Sequence, residues 1–489
     1  MTNNSGNSSS SSRQATAPPL DFWTKLAFGA GDLGTAITAN LMVFYMMYFF
    51  TNVAGLPAGL AGWILMIGKI GDAVNDPVVG ILSDRTRSRW GRRYPWMIFG
   101  AIPFGIFFFL QWIVPHFSSD PIVNRWALFW YYTIIALLFN IAYTAVSLPY
   151  AALTPELTQD YNERTSLNSF RFAFSIGGSI LSLVLAGIVF SQIKDPIQQY
   201  IVVAGICAVI SVVPVYWCFL GTRDRAKFFS SSSSFSSAEP KEAESLSIVK
   251  QLKIAFSNRP FLFVIGIYLC CWLAVQLTAS ILPYYVVNCM GLEESQFPQV
   301  AIAVQGTALV MLFFWRWTSD RIGKKATYFI GTGFWMIAQA GLFFLQPQQI
   351  ALMYVLAGMA GFGVSTAYLI PWSMVPDVIE LDELKTGQRR EGIFYAFMVF
   401  LQKIGLALGL FLVGIGLEAS GFIERIPGQG IPEQPLEALQ AIRMSIAPLP
   451  TLFLIVSLVL AYFYPITRDF HAEIRLKLQE RKSQTKDRD

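Results

Sequence analysis

Apolar runs of roughly 20 residues, the length that crosses a hydrocarbon core, recur from one end of this chain to the other. They predict spans over 24–52, 59–82, 94–114, 126–153, 169–192, 199–220, 260–288, 299–318, 326–346, 350–375, 393–418 and 444–465. The runs are continuous rather than alternating, which predicts helices and not barrel strands. The fold class expected is an all-α membrane protein of twelve transmembrane helices.

Polar stretches divide these spans. Residues 221–256 hold the serine-rich stretch Ser230–Ser237 and the charges Lys241, Glu242 and Glu244, which cannot bury apolar area and read as a linker. The expected organisation is a tail over 1–20, a six-helix half over 21–220, the linker over 221–256, a second half over 257–467 and a basic tail over 468–489. Ser83-Asp84-Arg85 with Gly91-Arg92-Arg93 is echoed by Ser319-Asp320-Arg321 with Gly323-Lys324-Lys325, each after the second span of its half. Parallel repeats of this kind characterise alternating-access transporters.

Charge then fixes the expected orientation. Arg85, Arg87, Arg89, Arg92 and Arg93, then Arg321, Lys324 and Lys325, and finally the C-terminal tail, put the basic residues on one side. The positive-inside rule makes that side cytoplasmic, with both termini there and the chain in the cell's inner (plasma) membrane. Only 14% of the residues are charged against 54% hydrophobic, where soluble domains average about 25% charged. The net charge of +5 is spent on topology, so no nucleic-acid partner is implied.

Two histidines, His116 and His471, and five cysteines without paired spacing supply neither a metal cluster nor a catalytic triad inside the bilayer. Neither an enzyme nor an organic cofactor is expected. Gly29-Ala-Gly31-Asp-Leu-Gly34 satisfies G-x-G-x-x-G, but it lies in a span with no preceding strand, so close helix packing is the better reading.

The second span carries Lys69, Asp72, Asn75 and Asp76. Asp72 and Asp76 stand at i and i+4 and share one helix face. An ionised carboxylate at mid-membrane costs roughly 2.5–3.5 kcal/mol on insertion scales, and two together repel. Lys69 supplies one counter-charge and a bound cation another; hard carboxylate oxygens suit Na⁺, or a proton in its place. Asp32, Arg171, Arg316 and Lys403 are further charges within or at the ends of spans, of which Arg316 is expected to snorkel to the edge. Lys403 stands in Phe394–Gly409 with no carboxylate within a turn, so it must meet another helix or an anionic or hydroxyl-rich solute. On the basic side, Asp377, Glu380, Asp382 and Glu383 are expected to close a gate on Arg85, Arg89 and Arg164, with Asp84 of the repeated motif beside them.

The motif G-x-x-x-D-R-x-x-S-R-x-G-R-R at Gly80–Arg93 resembles the loop signature of the major facilitator superfamily. Within it, Lys69–Trp96 with D-A-x-N-D-P and S-R-W-G-R-R-x-P-W resembles the glycoside-pentoside-hexuronide:cation symporters, the sodium:galactoside family. Asn162-Glu163-Arg164 leading to Arg171, Pro376–Glu380 and Ala447–Phe453 extend the likeness over about 24–480. The resemblance implies a major facilitator fold of two pseudo-symmetric halves and a cation site of Asp72, Asn75, Asp76 and Thr144. It places Arg171, Ser147, Tyr368, Trp372 and Lys403 on the solute side, although Ala36 and Ser147 stand where galactoside-binding acids occur in that family.

The function expected is cation-coupled symport, with Na⁺ as coupling ion (Li⁺ or H⁺ being the alternatives) and a sugar or glycoside as solute, by a monomer. Ile370–Ile379 also resembles animal sodium-dependent lysophosphatidylcholine transporters, which makes a lysolipid or other amphiphile the alternative solute. A non-transporting sensor or scaffold is the reading outside transport.

Overall fold

The computed structural model describes residues 20–158, 161–232, 248–387, 391–425 and 430–486. The N-terminal tail up to residue 19 and linker residues 233–247 lie outside the described residues. No strand occurs among the described residues.

Among the described residues, nine helices are long and apolar enough to cross a membrane. The shorter apolar helix Tyr94–Leu110 and the helices Ala58–Arg85 and Lys324–Phe344 bring the total to twelve. In chain order the first half is α1 (Phe22–Asn52), α2 (Ala58–Arg85), α3 (Tyr94–Leu110), α4 (Pro121–Ala151), α5 (Tyr161–Gln192) and α6 (Pro196–Ser232). The second is α7 (Arg259–Cys289), α8 (Phe297–Ile322), α9 (Lys324–Phe344), α10 (Ile350–Thr386), α11 (Glu391–Ala419) and α12 (Leu436–Phe463). A final helix, α13 (Arg468–Lys486), occupies most of the basic tail, and buries Ile474 and Leu478.

Helix ends follow local chemistry. Asp21 accepts from the Thr24 amide, Asp120 from those of Ile122 and Val123, and Asn258 from that of Phe261. Each satisfies amide groups that the first turn leaves without a partner. Within the membrane, large apolar side chains such as Phe99, Trp130, Phe313 and Phe344 remain on the outer surface. In a lipid solvent such side chains carry no penalty.

The internal repeat is visible in the backbone. Gly91 and Gly323, at matching positions of the two basic loops, both take positive φ, +93° and +86°, a region closed to most side chains. A π-helical turn interrupts α1 at Met42–Met46 and another ends α7 at Tyr285–Cys289. The glycines of the G-x-G-x-x-G stretch are close-packing positions: a Cβ on Gly31 would stand 2.5 Å from the Tyr150 ring, and one on Gly34 would collide with the Ser211 backbone.

Cross-half contacts gather on the side poor in basic residues. Tyr48 donates to Glu294 Oε1 at 2.9 Å, the Thr51 and Tyr284 hydroxyls meet at 2.7 Å, and the Ala58 amide donates to Glu424 Oε1 at 3.3 Å. Glu294 is also paired with Arg425 at 3.2 Å. Between α2 and α11, a Cβ on Gly414 would lie 2.6 Å from the Ala58 oxygen and 2.9 Å from Gly62 Cα. Gly414→Leu should therefore hold these helices apart, since overpacking a tight contact costs typically 1–3 kcal/mol. Cysteine labelling at Thr51 in that background is the check. Faster modification than with Gly414 present is expected, and an unchanged rate would show that the crossing does not seal this side.

Candidate functional site

Between the halves lies a cavity of about 720 Å³. Its polar wall comes from α1, α2, α4 and α5, with Asp32, Asp72, Asp76, Ser147 and Arg171 on it. The facing wall includes Trp272 and Gln276 of α7, Tyr368 of α10 and Lys403 of α11.

The centre of the site is a four-residue cluster. The helical i, i+4 spacing brings Asp72 and Asp76 together on α2, and α4 presents Thr144 to both. Thr144 Oγ1 stands 3.2 Å from Asp72 Oδ1 and 3.1 Å from Asp76 Oδ1, so its single proton serves one carboxylate at a time. On the other carboxylate oxygens sits the Lys403 ammonium, 2.9 Å from Asp72 Oδ2 and 2.5 Å from Asp76 Oδ2. Asp72 is nearly closed off, its side chain 3% exposed, whereas that of Asp76 is 27% exposed. Two carboxylates and a hydroxyl form a hard-oxygen set suited to a small cation, and an ammonium from the opposite half engages that set.

The counter-charge is thus Lys403 rather than Lys69. Lys69 lines the cavity one turn before Asp72, but no ion pair joins it to the acidic residues among the described residues. Lys403, expected on the solute side, has its ammonium committed to the acidic pair. Asn75 is not on the cavity wall, and its Nδ2 is buried without a partner among the described residues.

A second pair lies beside this cluster. Arg171 Nε donates to Asp32 Oδ2 at 3.2 Å, Thr35 Oγ1 donates to Asp32 Oδ1 at 3.0 Å, and the guanidinium lies 5.4 Å from the centre of the Tyr150 ring. Ser147 and Tyr368 line the cavity as expected for the solute side. Trp372 does not; its ring packs on Tyr268 and Tyr395, with centroids 5.7 and 6.2 Å away. Trp272 takes the place at the wall, edge-on to Tyr368 at 5.8 Å. Sequence reasoning passed over Trp272 and Gln276; a glutamine inside an apolar span was the available signal.

The expected gate residues are placed differently. Asp377 is held by Lys324 at 2.7 Å and by His471 at 3.4 Å, and Glu380 by His471 at 2.8 Å, all within the second half. Arg164 Nε donates to the Thr158 oxygen at 3.0 Å, and Arg92 pairs with Glu156 at 3.1 Å, both within the first. Arg85 and Arg89 are exposed, Glu383 is half-buried, and the Asp84 side chain lies outside the described residues. Asp377 and Glu380 are therefore satisfied by helices of their own half and by α13, in a conformation whose identified cross-half contacts lie at the cavity itself and on the opposite side.

Paired charged side chains facing a cavity between repeated helical halves are the arrangement of a multi-pass membrane transporter. The chain belongs to the family described as MFS/sugar transport protein, which matches residues 27–468. It is 54% identical to an uncharacterized symporter of Synechocystis, over 96% of this chain and 99% of that one. Similarity extends to the sodium-dependent lysophosphatidylcholine symporter 1 of Xenopus tropicalis, 26% identical over 96% of this chain and 92% of that one. The isoprimeverose transporter of Lactiplantibacillus pentosus is 27% identical over 91% of this chain and 88% of that one. Among solved structures, the nucleoside transporter NupG shares the fold with a TM-score of 0.62 at 13% identity, covering 91% of this chain and 98% of its own.

Proposed function

We propose that this protein is a Na⁺-coupled symporter of the glycoside-pentoside-hexuronide:cation type, carrying a small hydroxylated solute of the sugar or glycoside class inward by alternating access. The observation that carries this reading is the Asp72–Thr144–Asp76 oxygen set on the cavity wall with Lys403 of the other half as its counter-charge. A Na⁺ entering that set competes with the ammonium, so cation occupancy and the relation between the halves share one free energy. The same reading places the chain in the inner membrane as a monomer, with both termini on the cytoplasmic side.

A lysolipid or other amphiphile is the second reading. It is favoured by the lysophosphatidylcholine symporter among the relatives and by Ala36 and Ser147 in place of acidic residues. Uptake of a panel of radiolabelled sugars and lysolipids into proteoliposomes, with and without an inward Na⁺ gradient, separates the two. Concentrative sugar uptake that vanishes when choline replaces Na⁺ is the expected result. Equal uptake in both salts would overturn Na⁺ coupling.

A further inference from the structure

The charged side chains that line the cavity are Asp32, Asp72 and Asp76 on one side of the account and Lys69, Arg171 and Lys403 on the other. Three formal negative charges face three formal positive ones. Low-dielectric walls make an uncompensated charge costly. A Na⁺ that binds the Asp72–Asp76 set without expelling a proton leaves this cavity with one positive charge in excess. A neutral solute cannot cancel it, whereas an anion can.

Arg171 is the group placed to receive that anion. Its Nε is taken by Asp32 at 3.2 Å and its plane rests near the Tyr150 ring, but its terminal amino groups have no hydrogen-bond partner among the described residues. The side chain is 28% exposed and lines the cavity. A guanidinium fixed at Nε with its outer N–H groups free is arranged for an oxyanion, carboxylate or phosphate. On the α7 wall two more groups are unsatisfied. Trp272 Nε1, a donor, and Gln276 Oε1, an acceptor, are buried without partners among the described residues, and both residues line the same cavity. Buried polar atoms of this kind are costly to leave unpaired; one donor and one acceptor together suit hydroxyl groups.

We propose that the solute carries one net negative charge and crosses with one Na⁺ as an electroneutral pair, its acidic group on Arg171 and its hydroxyl groups on Trp272 and Gln276. This rests on the symport reading and names the charge of the solute at the same site. Asp32 then sets that charge: it neutralises Arg171 enough that one anion, and not two, balances the loaded cavity.

The test uses the full-length protein in proteoliposomes with an inward Na⁺ gradient and three probes: glucose, glucuronate and lysophosphatidylglycerol. The first two differ in charge, and the third carries its single negative charge on a lipid phosphate. Uptake is measured at zero potential and at an inside-negative potassium diffusion potential of about 100 mV, which would raise the equilibrium accumulation of a neutral solute carried with one Na⁺ roughly 50-fold. Na⁺-driven uptake of one of the two anions, with accumulation changing less than about 2-fold with potential, is expected; which anion it is tells a sugar acid from a lipid. Gln276→Leu should raise the half-saturating concentration of that anion by about 10-fold or more while leaving that of Na⁺ unchanged, and Trp272→Phe should act in the same direction. Na⁺-driven, potential-dependent uptake of glucose with both anions excluded overturns this proposal and leaves symport standing. Uptake that no Na⁺ gradient drives overturns both.

Discussion

Asp76→Asn and Asp72→Asn should each abolish the Na⁺ dependence of uptake while leaving a folded protein. Both substitutions keep the volume and remove one of the two charges that hold Lys403 and frame the Thr144 oxygen. Breaking a buried charge pair by removing one partner costs 3–5 kcal/mol, and each 1.4 kcal/mol is tenfold in affinity. Na⁺ affinity is therefore expected to fall by roughly 100-fold or more. The more closed Asp72 should be the more sensitive, because its carboxylate has less access to water than that of Asp76. The measurement is initial uptake across a Na⁺ titration, alongside solute binding to the purified variants. Retention of the parental Na⁺ half-saturation by both variants would remove the cation site from α2. Dependence on pH alone would keep the site and make the proton the coupling ion.

The architecture was legible because a bilayer demands long apolar helices, and each predicted span has its helix. Differences lie where lipid no longer constrains the chain. α6 continues to Ser232 and α10 to Thr386, beyond the ends predicted at 220 and 375, because a hydropathy pattern reports where the hydrocarbon ends and not where the helix does. The basic tail forms α13, whose Ile474 and Leu478 are too widely spaced among charges to register as an apolar run.

The site was legible only as far as local periodicity reaches. Asp72 and Asp76 fall on one face by helical spacing alone, and Lys69, one turn away, was the nearest cation in sequence. Lys403, separated from Asp76 by 327 positions, could be recognised only as an amine in need of a partner. Tertiary packing of α2 against α11 chose the distant lysine over the near one. The same blindness applies to the aromatic wall. Tyr368 and Trp372 are four residues apart on one helix, yet Trp372 is drawn to Tyr268 and Tyr395 while Trp272 of another helix reaches the cavity.

Lys403→Met should separate cation binding from transport. The apolar side chain keeps most of the lysine stem but takes away the ammonium that bridges Asp72 and Asp76. Two adjacent carboxylates then repel across a helical turn, with Lys69 unpaired to them, and the variant should melt lower than the parent in Na⁺-free buffer. Added Na⁺ restores what the ammonium supplied. Since a ligand that binds only the folded state stabilises it by RT ln(1 + [L]/Kd), about 2.7 kcal/mol at a hundredfold excess over Kd, the rise in melting temperature on adding Na⁺ should exceed that of the parent. Transport should nevertheless collapse, because the ion that replaces the ammonium no longer has to be exchanged for it as the halves move. The double variant Asp76→Asn with Lys403→Met isolates the pairing, since neighbours in one ionic network couple by 0.5–3 kcal/mol. It should melt above Lys403→Met in Na⁺-free buffer and show almost no Na⁺ response. Additive losses in the double variant, or a Na⁺ shift in Lys403→Met no larger than the parent's, would mean that the ammonium and the cation do not compete for the same oxygens.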